Sequence, residues 1–147
     1  MIRKRIPALD DRTIYRLVTE ELLPYTRQFA PGTRISRNQI RTRLNRGVTW
    51  VAAADSQSRG CGFIHILHKE RKLFVDMLAI SRRHQGQGIG GRLMNQAEGY
   101  GRMRGCRRSM LYVDSTNQRA FEFYQKRGYA VDYFDPAIHC YLMSKDL

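Results

Sequence analysis

Gln85-Gly86-Gln87-Gly88-Ile89-Gly90-Gly91 is the stretch on which the fold turns. It follows an apolar run, Leu73–Ile80, and precedes a segment in which Ile89, Leu93, Ala97 and Tyr100 share one helical face. Glycines let a backbone come close to a ligand, and the free N–H groups at a helix start attract phosphate oxygens. Three phosphate-binding readings use that physics. As a Walker A loop, Gly86-x4-Gly91 has the spacing but continues Arg92-Leu93 instead of Lys-Ser/Thr, so nothing there holds Mg²⁺ or reaches a γ-phosphate. As a dinucleotide fingerprint, Gly86-x-Gly88-x-x-Gly91 matches, and Asp114 ends the next strand at a suitable distance. Five polar residues, Ser81–Gln85, nevertheless separate the strand from the first glycine, where that fold turns at once. Only 33 residues follow Asp114, too few for the second half of such a domain.

The third reading is Gln85-x-x-Gly88-x-Gly90 after a strand of the type Leu78-Ala79-Ile80. With that strand in front, the chain resembles the GNAT superfamily of acyl-CoA N-acyltransferases. A second stretch, Asn117-x-x-Ala120-x-x-Phe123-Tyr124-x-x-x-Gly128-Tyr129, is similar to that family's Asn-x-x-Ala-x-x-(Phe)-Tyr-x-x-x-Gly-Phe signature. The resemblance covers roughly residues 60–130 by motif and the whole chain by order of elements; the N-terminal third matches in layout only. It implies a mixed α/β (α+β) domain over residues 1–147, with a mostly antiparallel central sheet of six to seven strands and about four flanking helices.

The residue pattern predicts the same order. A short strand lies around Arg3–Ile6, and Asp10 and Asp11 are candidate caps for a helix carrying Ile14, Leu17, Val18 and Leu22, stopped by Pro24. Pro24–Arg34 reads as a loop, and Ser36-x-x-Gln39 as a capping box opening a second helix that Gly47 closes. Val48–Ala54, Cys61–Leu67 and Leu73–Ile80 form an expected antiparallel meander with short polar turns. After the glycine loop and its helix come a strand at Ser109–Val113 and a short helix capped by Asn117 and ended by Gly128. Strands near Tyr129–Phe134 and Ile138–Ser144 then turn at Asp135-Pro136.

Composition bounds the function. At 147 residues and 42% hydrophobic content the chain can bury a core. No apolar run approaches the ~20 residues of a membrane span, and Met1–Pro7, basic with no apolar stretch behind it, does not read as a signal peptide. Three cysteines without a Cys-x-x-Cys pair speak against a disulfide scaffold and a zinc site, and fit a reducing, cytoplasmic setting. The net charge of +13 is uneven: residues 1–50 hold eleven Lys/Arg against four acids, and residues 82–108 seven against Glu98 alone. Such a surface favours polyanions, whether a phosphorylated cofactor, nucleic acid or an acidic acceptor.

What the resemblance implies for chemistry can be placed residue by residue. Acetyl-CoA is the expected cosubstrate, with a primary amine, on a small molecule or on a protein or peptide, as acceptor and no metal. The backbone of Leu78, Ala79 and Ile80 would pair with the pantetheine arm, with an amide facing the oxyanion. Gln85, Gly86, Gln87, Gly88, Ile89, Gly90 and Gly91 would hold the pyrophosphate, and Asn117 would contact the arm. Tyr124 would protonate the departing thiolate; its other reading is a core aromatic on an amphipathic helix. Asp76, the one charge inside Leu73–Ile80, is a candidate base whose carboxylate an apolar strand would make harder to ionise, and equally a structural or substrate-binding acid. His65 and His84 read as core or surface histidines. Tyr25 and Phe29 mark the expected acceptor side. A rival reading is a catalytically idle basic module that docks on nucleic acid or the ribosome; a monomer and a homodimer both remain open.

Overall fold

The computed structural model describes all residues, Met1–Leu147. Seven strands form one sheet: β1 (Ile2–Lys4), β2 (Val48–Ala53), β3 (Gly60–Lys69), β4 (Lys72–Ile80), β5 (Arg108–Asp114), β6 (Ala130–Asp135) and β7 (Cys140–Asp146). Their order is β1-β2-β3-β4-β5-β7-β6. All neighbours are antiparallel except β4 and β5. The helices are α1 (Pro7–Leu17), α2 (Leu23–Phe29), α3 (Arg37–Leu44), α4 (Ile89–Met103) and α5 (Gln118–Lys126). No helix is long and apolar enough to cross a membrane.

Two apolar clusters cover the two faces. Ile14, Leu17 and Val18 of the first helical segment join Ile40 and Leu44 of α3 against Val51 and Phe63. On the other face Leu93, Met94 and Ala97 of α4 and Tyr124 of α5 pack on Ile64, Ile66, Leu111 and Met143. Strand β4 serves both clusters, because a bulge turns it over half-way. His65 stands opposite Met77 and Ile66 opposite Val75, which leaves Asp76 unmatched. Before the bulge, Leu73 and Val75 face α4; after it, Met77 and Ala79 face α1, and Leu78 and Ile80 take over the α4 side. Strict alternation would have kept 73, 75, 77 and 79 on one face.

The N-terminal third departs from the sequence pattern at two places. Asp10 does not cap α1. The helix starts earlier, with Pro7 in its first turn, where a missing N–H costs nothing. Asp10 is instead fully buried, accepting bonds from both Arg3 terminal nitrogens at 2.7 and 2.9 Å and from the Ile6 amide at 2.7 Å. Asp11 lies within the helix and pairs with Arg5 at 2.6 Å. Pro24 does not stop the chain's helical course either. A π turn, Val18–Leu22, follows α1, and Pro24 falls at the start of α2 (Leu23–Phe29), so the first part of Pro24–Arg34, read as loop, is helical. The Ser36–Gln39 capping box and the Asn117 cap form as the pattern predicts.

The buried Arg3–Asp10 pair generates a direct test. Asp10→Ala leaves a guanidinium without its partner and costs about 3–5 kcal/mol. Urea unfolding read by circular dichroism checks this; a loss below about 1 kcal/mol would contradict it.

Candidate active site

Strand β4 pairs with β5 only through Lys72–Val75, and the ladder ends where Val75 meets Leu111. Beyond it the β5 side of Leu78, Ala79 and Ile80 is an unpaired strand edge. A cavity of about 640 Å³ occupies this parting. Leu78, Ala79 and Ile80 form one wall, the glycine loop another, and Asn117, Ala120, Phe123 and Tyr124 of α5 the third. Glu21, Leu22 and Tyr25, from the π turn and α2, close the front.

The loop is built to present backbone N–H groups. Gly86 and Gly88 hold φ of +78° and +79°, a conformation that side chains resist. The turn they make keeps the amides of residues 86–91 clear of every protein acceptor. Six successive free N–H groups at the start of a 15-residue helix make a strong anion site. Gln85 braces the loop rather than entering the cavity as a free donor. Its nitrogen donates to Ile80 O at 2.9 Å and to Glu21 at 3.1 Å, and its oxygen accepts from Arg119 at 2.9 Å. The Gln87 side chain is exposed outside the cavity.

Asn117 spends its side-chain oxygen on the Ala120 amide at 3.2 Å, leaving its NH₂ group for the cavity. Tyr124 is buried, lines the cavity, and makes no hydrogen bond through its hydroxyl to the protein. Burial pushes that hydroxyl well above the ordinary tyrosine range, with Arg127 opposing weakly, so it stays a proton donor. Its ring is set at 5.8 Å from that of Tyr129. Tyr129 is locked by Ser109 at 2.6 Å and by Glu98 at 2.8 Å. Glu98 in turn holds Lys145 and Arg127, binding α4 to α5 and β7.

Asp76 is not brought to the cavity wall. Its carboxylate accepts two bonds from Arg43 of α3, at 2.8 and 2.6 Å, and lies 3.6 Å from His65 Nε2. His65 is fully buried and shares a 2.8 Å hydrogen bond between Nδ1 and Thr49. Of the two residues expected on the acceptor side, Tyr25 lines the cavity. Phe29 stacks flat on His139 at 4.0 Å and ties α2 to the β6–β7 turn. Sequence reading missed Glu21, the only carboxylate in the wall, and Arg119. Glu21 was hidden because its direction depends on the π turn, which ordinary helical spacing does not anticipate.

The sequence model of the acetyltransferase (GNAT) family matches residues 14–129. The chain belongs to that family. It is 29% identical over 92 residues to streptothricin acetyltransferase of Streptomyces lavendulae, covering 62% of this chain and 49% of that one. The chain thus spans about half the length of that curated relative. Among solved structures, PaiA N-acetyltransferase from Thermoplasma acidophilum, in complex with coenzyme A, superposes with a TM-score of 0.80 at 23% identity, covering 100% of this chain and 98% of that one. The ribosomal-protein-S18-alanine N-acetyltransferase from Escherichia coli gives 0.77 at 14% identity, over 99% and 92%. At such identities the two structures speak for the fold. No group of three or more His, Cys, Asp or Glu side chains is placed to hold a metal ion.

The family's coenzyme fits these residues. An arm of alternating amides and methylenes matches an open strand edge beside Leu78, Ile80 and Phe123, and a pyrophosphate matches six free amides with Arg82 and Arg119 in the wall.

His65 yields a prediction for stability. Burial lowers its pKa, outweighing the opposite pull of Asp76. A neutral buried histidine stabilises the fold fully above the unfolded value of about 6.5 and loses that contribution as pH falls. Melting temperature should drop as pH goes from about 7 to 5, and the drop should shrink in His65→Gln. Equal pH slopes for the two proteins would contradict this reading.

Proposed function

We propose that the protein transfers an acetyl group from acetyl-CoA directly to a primary amine. The observation that carries this reading is the joint placement of an open β4 edge, a loop of free amides and the Tyr124 hydroxyl around one cavity. Acetyl-CoA supplies an activated thioester carbonyl. The chain's part is to hold that carbonyl and the amine together, stabilise charge on the oxygen and move two protons. Backbone N–H groups along Leu78–Ile80 bind the arm as an added strand and offer the oxyanion donor. The amides of Gly86–Gly91, with Arg82 and Arg119, neutralise the pyrophosphate. As the new C–N bond forms and the C–S bond breaks, Tyr124 gives its proton to the leaving sulfur.

For the base, geometry favours Glu21 over Asp76, which the sequence offered equally as a base and as a structural or substrate-binding acid. Glu21 stands in the cavity wall, held by Gln85, whereas the Asp76 carboxylate is engaged by Arg43 beside it. Asp76 then acts as a positioning residue for α3 and the bulge. The named activities of the relatives, on streptothricin and on an alanine of a ribosomal protein, define a first panel alongside simple polyamines.

Thiol release from acetyl-CoA, followed with that panel, tests the reading. Tyr124→Phe should keep the KM for acetyl-CoA and lower kcat at least about tenfold. Unchanged kcat would remove Tyr124 from the proton transfer. In the pH–rate profile, Glu21→Gln should abolish the acidic limb and Asp76→Asn should keep it. The reverse pattern would make Asp76 the base.

A further inference from the structure

No arginine of residues 1–50 lines the acetyl-CoA cavity, and eight arginines on and around α1 and α3 fall into two groups. Arg3, Arg5, Arg41 and Arg43 each stand against a carboxylate: Asp10, Asp11, Asp11 and Asp76. Arg12, Arg37 and Arg59 make no ion pair. Arg16 meets only Glu20, at 3.4 Å, with both side chains more than half exposed (52% and 54%), a pair of little energetic weight. These four converge. Arg12 and Arg16 lie on one face of α1, Arg37 opens α3, and Arg59 comes from the β2–β3 turn. Together they line a depression of about 510 Å³ that contains no carboxylate and a single hydrophobic residue, Tyr15.

Two details sharpen the picture. Arg37 occupies the first position of α3, where the helix dipole favours an acid, and no acid lies in that first turn. Its guanidinium sits 5.5 Å from the centre of the Tyr15 ring. The depression also continues. Arg16, Arg59 and Gly60 border a second one, of about 620 Å³, whose far side is Arg82, Arg83 and His84 and whose wall also holds Glu20 and Glu21. A basic track therefore runs from the start of α3 across α1, free of carboxylates, and its continuation to the edge of the glycine loop is mixed, with Arg82 and Arg83 beside Glu20 and Glu21.

We propose that this track binds the phosphate backbone of a nucleic acid. Guanidinium forks match phosphate oxygens two at a time, and a succession of them suits a ligand with regularly repeated charge. An acidic protein is the poorer match, because protein interfaces centre on apolar and aromatic anchors and the depression offers only Tyr15, whose hydroxyl is already bonded to Ile35 O. Its far end meets the acyl-transfer site, because Arg82 also lines the acetyl-CoA cavity, but none of Arg12, Arg16, Arg37 and Arg59 does, so these four are replaceable without touching that cavity.

Fluorescence anisotropy of a labelled RNA of about 20 nucleotides, and of DNA of the same length, between about 50 and 200 mM KCl measures the number of phosphate contacts. Wild-type affinity should fall steeply with salt. Replacing Arg12, Arg16, Arg37 and Arg59 by Ser should lower the log–log slope by about 3, and the pairs Arg12→Ser/Arg59→Ser and Arg16→Ser/Arg37→Ser by about half that each. Arg102→Ser/Arg104→Ser, at the C-terminal end of α4 in the opposite layer, should change it by less than about 1. The quadruple variant should bind acetyl-CoA in calorimetry as the wild type does, which separates failure here from failure of the acyl-transfer reading. An unchanged slope in the quadruple and paired variants would overturn the proposal. So would displacement of the RNA by polyglutamate at equal charge.

Discussion

A single unmatched residue in β4 is the constraint from which the site follows. With Asp76 bulged out, the strand exchanges its faces, so Leu73 and Val75 serve one core and Met77 and Ala79 the other. The parallel ladder to β5 ends beside the bulge, at Val75 and Leu111, and the next residues keep a free edge. In a closed sheet that edge would be paired, and no cavity would open between α5 and the front helices. The pair Arg43–Asp76 holds the bulge from α3, which explains why a charged residue stands in an otherwise apolar strand.

The back layer gives this opening its rigidity. Glu98 is buried on α4, and Arg127, Lys145 and Tyr129 all bond to it. Each of the three comes from a different place beyond α4: the end of α5, β7, and the residue leading into β6. A half-satisfied network at such depth would be costly, whereas this one gives the carboxylate three partners. Tyr124 is thereby kept against Tyr129 with its hydroxyl in the cavity and unspent on the protein.

Much of this was legible from residues 60–130, because short-range rules govern it. Apolar runs between short polar turns marked the meander, Asn117 announced its helix, and the glycine spacing with the Asn117–Tyr129 signature pointed to one family. The N-terminal third resisted for equally physical reasons. Pro24 reads as a stop only if the helix before it is an ordinary one; after a π turn it sits where a helix restarts and its missing N–H is harmless. Asp10 resembles a cap locally, but its partner Arg3 is a tertiary neighbour on β1. The placement of Glu21 in the wall, and of Asp76 against Arg43, likewise depends on contacts between distant segments that no spacing rule encodes.

The central claim is that the free edge of β4 and the amides of the glycine loop are the receptor for acetyl-CoA. Residue-resolved amide hydrogen exchange with and without acetyl-CoA addresses it directly. The account predicts that protection rises along Leu78–Ile80 and Gly86–Gly91 with acetyl-CoA and stays unchanged with NADH. Exchange at both segments that is indifferent to acetyl-CoA would contradict it.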